Sequence, residues 1–382
     1  MIKKVFPILA VCLFSSTLGM GIVAPLLPLY LKDMGATGIW LGIIIAAYFT
    51  SNSVAVPIVG RLSDQKGRKI FLTTGLLTYS IISLGYLWSG NVTLLALLRF
   101  VQGIAEAATI PVSLAYIGDL SPESEEGKWM GYANAAFFSG FGLGPLLGGV
   151  IAEHFGMTAT FLSMSGLNLF AFFIALLFLP GVIPRKTIED SHLSFKEMSL
   201  STMVRGLFSS RLGQSLGVGG FVTFLPLFAA MIGLRTSLIG TLLSVNILAM
   251  TLFAPLVGIL ADRFSRRTLT ILGYLLAAVL LAVIPLTTSF WQLLAVLLVQ
   301  GLSSAIALSA SSALTVEEGR KFGMGSTTSI LFMAGSIGMA FGPIISGGIA
   351  EVLNIDLVFY FGGIIGLLGT GLFIWFTRQY RR

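Results

Sequence analysis

Twelve long apolar stretches, separated by short polar or turn-forming segments, make up most of the chain. They run roughly over 6–31, 38–60, 70–90, 92–118, 129–154, 158–180, 204–232, 236–260, 268–287, 289–315, 322–351 and 355–378. A membrane-crossing helix needs about 20 apolar residues, so each stretch is long enough, and the longest ones imply tilt or protruding ends. The ten-residue alternation of a membrane β-barrel is missing, and the pattern predicts an all-α integral membrane protein with twelve transmembrane helices. Lys3-Lys4 before the first stretch suggests a signal peptide, but 6–31 is too long for a signal core and eleven more stretches follow.

Composition excludes most other classes. Of 382 residues, 55% are hydrophobic and only 10% are Asp, Glu, Lys or Arg. A soluble domain carries about 25% charged residues, so these cannot cover a water-facing surface. Mean hydropathy is +0.94. A soluble globular protein, a nucleic-acid binder and a large extramembrane domain are all excluded. The net charge of +7 does not favour nucleic acid, because the basic residues sit in short connections between stretches. Placing the N-terminus and every second connection in the cytoplasm puts 19 of the 23 Lys and Arg there, with Lys32 and Arg235 outside and Arg99 and Arg211 within spans. That asymmetry predicts a multi-pass inner-membrane protein with both termini cytoplasmic. Cys12 cannot form an internal disulfide, and two histidines leave no Cys/His zinc set, so no metal is expected.

A shift of 198 residues aligns four separate windows. Pro28 maps to Pro226. Gly60, Leu62, Asp64 and Arg68 map to Gly258, Leu260, Asp262 and Arg266. Gln102-Gly103 maps to Gln300-Gly301. Gly144-Pro145 maps to Gly342-Pro343, and Ile151-Ala152-Glu153 to Ile349-Ala350-Glu351. The expected organisation is a six-helix bundle over 1–183, a polar cytoplasmic linker over 184–203, and a second six-helix bundle over 204–382. Parallel repeats of this kind favour a central cavity and alternating exposure to the two sides, which is a transport architecture.

Four places carry candidate chemistry. After span 2, Gly60-Arg-Leu-Ser-Asp64 and Gly67-Arg68 combine a residue permitting close helix approach, a turn glycine, an acid suited to a helix N-terminus and an arginine suited to a carboxylate. In span 4, Arg99, Gln102, Gly103 and Glu106 fall at i, i+3, i+4 and i+7, one helical face. A charged side chain at mid-membrane costs at least about 2.5 kcal/mol and is retained for function. Burial and a nearby arginine act on the charge of Glu106 in opposite senses, which suits a group exchanging a proton; the bland alternative is a self-neutralising Arg99–Glu106 pair. In span 5, Gly140, Gly144, Pro145, Gly148 and Gly149 allow close packing and a kink, with span 8 the expected neighbour. In span 7, Arg211 either meets an anionic group of the substrate, pairs with Glu106, or extends to the cytoplasmic interface. Gln214, Asn134 and Asn246 are weaker substrate candidates, because isolated amides in spans commonly bond neighbouring helices.

These motifs resemble those of the major facilitator superfamily, and in particular its twelve-span drug:proton antiporters. The segment 60–69 is similar to the family's G-x-L-a-D-r-x-G-R-k signature, and its second copy departs from it at Ser265. The resemblance implies a cytoplasmic latch formed by Gly60, Asp64, Gly67, Arg68 and Asp119, with Asp262 and Arg266 in the second copy. It also implies proton coupling through Arg99, Gln102 and Glu106; the equivalents Leu297 and Ser304 confine that chemistry to the first half. The span 5 glycines resemble the antiporter signature G-x-x-x-G-P-x-x-G-G, and Leu18-Gly19 with Pro25-Leu-Leu-Pro28 resembles a further signature of that group. The implied activity is proton-coupled export of amphipathic organic compounds, by a monomer in a lipid bilayer, with the proton gradient in place of any cofactor. A dedicated transporter of one metabolite, sugar or siderophore is the alternative. No P-loop and no H-E-x-x-H motif is present, which argues against ATP-driven transport and against an enzyme.

Overall fold

The computed structural model describes residues 2–122, 126–181, 200–263, 265–322 and 324–379, with side chains except at 126–128, 254–263, 320, 324–326 and 328–329. Among the described residues every regular element is helical. The first half contains α1 Ile2–Val23, α2 Leu27–Asp33, α3 Gly38–Lys66, α4 Arg68–Gly85, α5 Val92–Ala107, α6 Ile110–Leu120 and α7 Glu126–Phe178. The second contains α8 Thr202–Met231, α9 Thr236–Arg263, α10 Arg266–Val283, α11 Phe290–Phe322, α12 Met324–Val352 and α13 Ile355–Phe376. Among the described residues eleven stretches are long and apolar enough to cross a membrane, and one of them, Trp129–Phe178, has 50 residues. Within it Gly156 adopts φ 78° and ψ 175°, a backbone that a side chain would disfavour, and the helix breaks there into arms 126–155 and 157–178. Split at this glycine, the eleven become the expected twelve.

Two spans expected as single helices are interrupted. Pro25 has no N–H for the Gly21 carbonyl, and a turn through residues 24–26 separates α1 from α2, with Leu26 N bonding Val23 O at 3.0 Å. Pro111 likewise gives Ala107 O no donor. The N–H groups of Ala108 and Thr109 turn back to Ala105 O (3.1 Å) and Glu106 O (2.9 Å), so span 4 divides into α5 and α6. Glu106 therefore lies in the last turn before a break. The predicted linker 184–203 lies largely outside the described residues; at its end the Ser201 side chain caps α8 by accepting from Val204 N (3.3 Å).

The chain falls into two compact units. One comprises Met1–Ala36, Ile43–Thr187 and Gly233–Ser244; the other comprises Thr37–Gly42, Ile188–Ile232 and Val245–Arg382. The first turns of α3 thus belong with the second unit, and those of α9 with the first. In the first unit Leu9 and Leu13 of α1, Leu72 and Leu76 of α4 and Tyr116 and Ile117 of α6 share a tightly buried apolar cluster. In the second, α8 is packed between α12 and α13: a Cβ on Gly217 would lie 2.8 Å from Gly362 O, and one on Gly219 would lie 2.8 Å from the Pro343 ring. Large apolar side chains cover much of the exterior, including Leu97, Phe170, Leu177, Ile364 and Leu368. On a water-facing surface such patches would drive association; in a bilayer they meet lipid.

Candidate functional site

The polar stripe of span 4 is buried inside the first unit. Arg99 and Gln102 are both buried, and Arg99 Nη1 donates to Gln102 Oε1 at 3.1 Å. The Tyr86 hydroxyl donates to the same oxygen, and Gln102 Nε2 points at Met164 Sδ, 3.8 Å away. The Arg99 guanidinium also stands over the Tyr48 ring, 5.5 Å from its centroid, an arrangement that offsets some of the cost of a buried cation. Gly103 permits the approach of α3: a Cβ there would collide with the Tyr48 carbonyl and the Ser51 hydroxyl, and Asn52 Nδ2 donates to Gly103 O at 3.1 Å.

No ion pair joins Arg99 to Glu106 among the described residues. Arg99 Nε and Glu106 Oε2 are each buried without a hydrogen-bond partner there. The self-neutralising pair is therefore not what the structure shows. What remains is a cation held by a glutamine and an aromatic face, and a separate carboxyl oxygen with no partner at the break before Pro111. A buried acceptor left unsatisfied costs about 1–3 kcal/mol, more if charged, and is the kind of atom that a proton or a ligand would satisfy.

Arg68 gathers its neighbours as expected. It forms ion pairs with Asp64 and, through Nε at 2.9 Å, with Asp119, while Nη1 donates to Ser63 Oγ at 2.7 Å. Gly67 has φ 94°, the left-handed turn that links α3 to α4. Gly60 does not provide a close approach: nothing among the described residues lies within 4 Å of where its Cβ would be. In the second copy the side chains of Gly258 and Asp262 lie outside those described. Arg266 pairs with Glu317, at 2.6 Å. Glu317 was missed in the sequence, although it stands 198 residues after Asp119, the same offset as every other repeat match.

The glycine face of span 5 meets a different neighbour from the one expected. Side chains on Gly140, Gly144 and Gly148 would run into α1, at Phe14 and Thr17, at Gly21 (2.5 Å from its Cα) and at Ile22 respectively. Span 8 is met by the adjacent face: Gly149 lies against Thr236 and Ser237, the Pro145 carbonyl lies where a Cβ of Gly240 would be, and Leu146 N donates to Ser244 Oγ at 2.8 Å. The reason is helical geometry, since one residue advances about 100° around the axis, so positions 145 and 149 face a different way from 144 and 148. The second copy repeats this: Gly342 abuts Leu216 of α8, while Gly347 abuts Gly38 and Ile39 of α3.

The Ile-Ala-Glu repeat, left without a role by the sequence, closes the same contacts. Glu153 Oε2 accepts from Ser237 N (3.2 Å) at the start of α9, and Glu351 Oε2 accepts from Ile39 N (2.9 Å) at the start of α3. Each carboxylate thus satisfies a free amide in the first turn of a helix, where the helix dipole favours negative charge. Arg235, largely exposed, adds a 3.7 Å contact to Glu153.

The four polar candidates for a substrate cavity stand in different surroundings. Gln214 Nε2 is spent on Tyr274 O (3.1 Å) and Gly366 O (3.5 Å). Asn246 Nδ2 binds Leu297 O (2.8 Å) and Gln300 Oε1 (2.5 Å). Asn134 is exposed in the first unit. Arg211 lines a cleft of about 270 Å³ inside the second unit.

Fold and interior define a class before any comparison: a multi-pass helical membrane protein built twice over, with ionisable groups buried in its spans. The Major Facilitator Superfamily model matches the chain over residues 9–235 and again over 206–382. The chain belongs to that superfamily and is a transporter of small molecules across a lipid bilayer. It is 28% identical over 396 residues to multidrug resistance protein 2 of Bacillus subtilis, covering 99% of this chain and 96% of that one. It is 27% identical over 393 residues to the quinolone resistance protein NorA of Staphylococcus aureus, covering 99% and 97%. An uncharacterized MFS-type transporter of Methanocaldococcus jannaschii is 26% identical over 374 residues, 96% of each chain. Among solved structures, a bacterial homolog of the human lysosomal transporter Spinster superposes with a TM-score of 0.83 at 14% identity, covering 99% of this chain and 97% of that one.

Proposed function

We propose that the protein is a proton-coupled exporter of amphipathic organic compounds that works by alternating access in the inner membrane, with both termini cytoplasmic. The observation that carries the coupling is Glu106, whose buried Oε2 has no partner among the described residues and which sits apart from the engaged Arg99. A carboxyl left in that state can take a proton when one side of the membrane supplies it and lose it when the other side does. Arg68 with Asp64 and Asp119 is the proposed latch, and its bonds are concentrated on one nearly buried guanidinium. Direction rests on the span 5 glycine–proline face and on the names of the relatives from Bacillus subtilis and Staphylococcus aureus, both resistance proteins. The cytoplasmic placement of the termini rests on the charge asymmetry of the connections.

The test is uptake of a fluorescent amphipathic dye into inside-out vesicles energised by an imposed pH gradient. Uptake that collapses with an uncoupler in wild type, and is missing in Glu106→Gln at equal protein level, is the expected result. Gradient-driven uptake by Glu106→Gln at the wild-type rate would remove Glu106 from the mechanism.

A further inference from the structure

The cleft around Arg211 lies among α8, α10, α11 and α12, all within one unit. Its lining is mixed: Arg211, Ser312, Thr315 and Tyr274, whose hydroxyl is 3.3 Å from Ser311 Oγ, are interleaved with apolar residues that include Leu207, Leu331 and Phe332. No hydrogen bond or ion pair meets Arg211 among the described residues. The acids that follow on α11 are already engaged, Glu317 with Arg266 (2.6 Å) and Glu318 with Lys321 and the Ser201 hydroxyl (2.8 Å). A guanidinium offers five donors and no acceptor, so one left without a counter-ion in an apolar span calls for an anion.

The repeat shows that this cleft replaces packed core. Subtracting 198 from five of the ten cleft positions gives Leu9, Leu13, Leu76, Ile117 and Ala133 for Leu207, Arg211, Tyr274, Thr315 and Leu331. All five first-half residues belong to the buried apolar cluster of α1, α4, α6 and α7. The second half has exchanged a leucine for arginine, a leucine for tyrosine and an isoleucine for threonine at one place. A further exchange makes the room: Phe137 in the first half becomes Gly335 in the second. A Cβ on Gly335 would lie 3.3 Å from Arg211 Nε, close enough to press on the guanidinium. A cation that merely reached for the interface would not need these coordinated changes on three other helices.

We infer that this cleft binds the anionic group of an amphipathic substrate, with the carboxylate on Arg211 and the apolar body against Leu207, Leu331 and Phe332. This rests on the reading of the chain as an exporter of amphipathic compounds and adds the charge of what it carries. The volume suits a one- or two-ring aromatic acid, being just below the range of about 300–1,000 Å³ usual for drug-sized ligands. The guanidinium fork matches a carboxylate in a two-point contact that an amide or an ammonium cannot reproduce.

The experiment is equilibrium binding of radiolabelled naphthoate to the full chain in nanodiscs, without any gradient, with naphthamide and a naphthylmethyl-trimethylammonium ion as neutral and cationic matches. Wild type is expected to prefer naphthoate over both by at least about tenfold, and Arg211→Gln to lose that preference. Arg211→Lys, which keeps the charge but not the fork, is expected to fall between them, and Gly335→Ala to weaken naphthoate alone. Equal binding of the three probes by wild type, no measurable naphthoate binding, or full preference retained in Arg211→Gln would each overturn the inference. The wild-type comparison decides even where a variant fails to fold. Because no gradient is present, uncoupler-insensitive transport would sink the proton-coupling reading and leave this result standing.

Discussion

Arg99 and Leu297 stand 198 residues apart at the same register of the repeat, and so do Leu13 and Arg211. Each half has one arginine where the other has a buried leucine, in different helices. In the first half the arginine is on α5, engaged by Gln102 and Tyr48, and shares its helix with Glu106. In the second it is on α8, beside a cleft and without a partner among the described residues. Positions where backbone meets backbone are by contrast shared: Gly103 against the Tyr48 carbonyl is matched by Gly301 against the Asn246 carbonyl, and Gly144 by Gly342. Duplication has preserved what close packing demands, because a side chain at those glycines would push the paired helices apart. It has let the ionisable groups deep within the spans, Arg99, Glu106 and Arg211, diverge, because each costs stability in a membrane unless it serves a function. On the proposed reading the halves divide the labour, with proton exchange in the first and substrate charge in the second.

The largest effect expected from this division is at Glu106. Glu106→Gln should reduce gradient-driven efflux to the level seen with an uncoupler, while Ser304→Ala, at the equivalent register of the second half, should leave it near wild type. Efflux of a dye from loaded cells at matched expression measures both. Comparable losses in the two variants would show that the halves are not specialised in this way.

Packing comes next. Gly144→Leu would drive a side chain into Gly21 of α1, and Gly342→Leu one into Leu216 of α8. Overpacking of this kind costs typically about 1–3 kcal/mol. Both variants should lower the thermal unfolding midpoint by similar amounts, whereas Gly60→Ala, with open space around it, should not move it. A large loss at Gly144 with none at Gly342 would break the claim that packing is the conserved half of the comparison.

Twelve spans, the repeat and the arginine–acid junction at Arg68 could be read from the chain because they rest on period, charge and spacing. The neighbour of Gly144 could not, since three glycines on one face state that something comes close without saying what. Pro25 and Pro111 were visible as residues, but whether a proline bends a helix or breaks it depends on which carbonyls find other donors. Glu317 could have been found by carrying the 198-residue offset from Asp119. The cleft at Arg211 was legible only as one charge in a span, because Tyr274, Thr315 and Gly335 are unremarkable until the fold brings them together.

A smaller effect separates the two arginine–acid junctions. Arg68 is nearly buried and holds two carboxylates, so Asp119→Asn removes one charge-assisted bond worth about 1.5–3 kcal/mol. The Arg266–Glu317 pair is about one-third exposed on both sides, and solvent screening reduces it to about 0–1 kcal/mol. Thermal unfolding in detergent should therefore show a clear drop for Asp119→Asn and little for Glu317→Gln. Equal drops would mean that exposure does not discount the second junction.

The smallest effect should also be the most symmetric. Glu153 on Ser237 N and Glu351 on Ile39 N are the same contact made twice, each a carboxylate on a first-turn amide. A negative charge near a helix N-terminus favours the first turn, and glutamine keeps an acceptor while losing the charge. Glu153→Gln and Glu351→Gln should therefore each raise amide hydrogen exchange in the first turn of the helix they cap, by up to about fivefold, and leave the other helix unchanged. Arg235 is too exposed to enlarge the Glu153 effect, and added salt should screen what it contributes. Exchange measured peptide by peptide over 236–244 and 38–46 reads the two caps separately in one protein. An effect confined to one glutamate would show that duplication preserved the residue but not its use, and would move the Ile-Ala-Glu repeat from the packing side of the comparison to the chemical one.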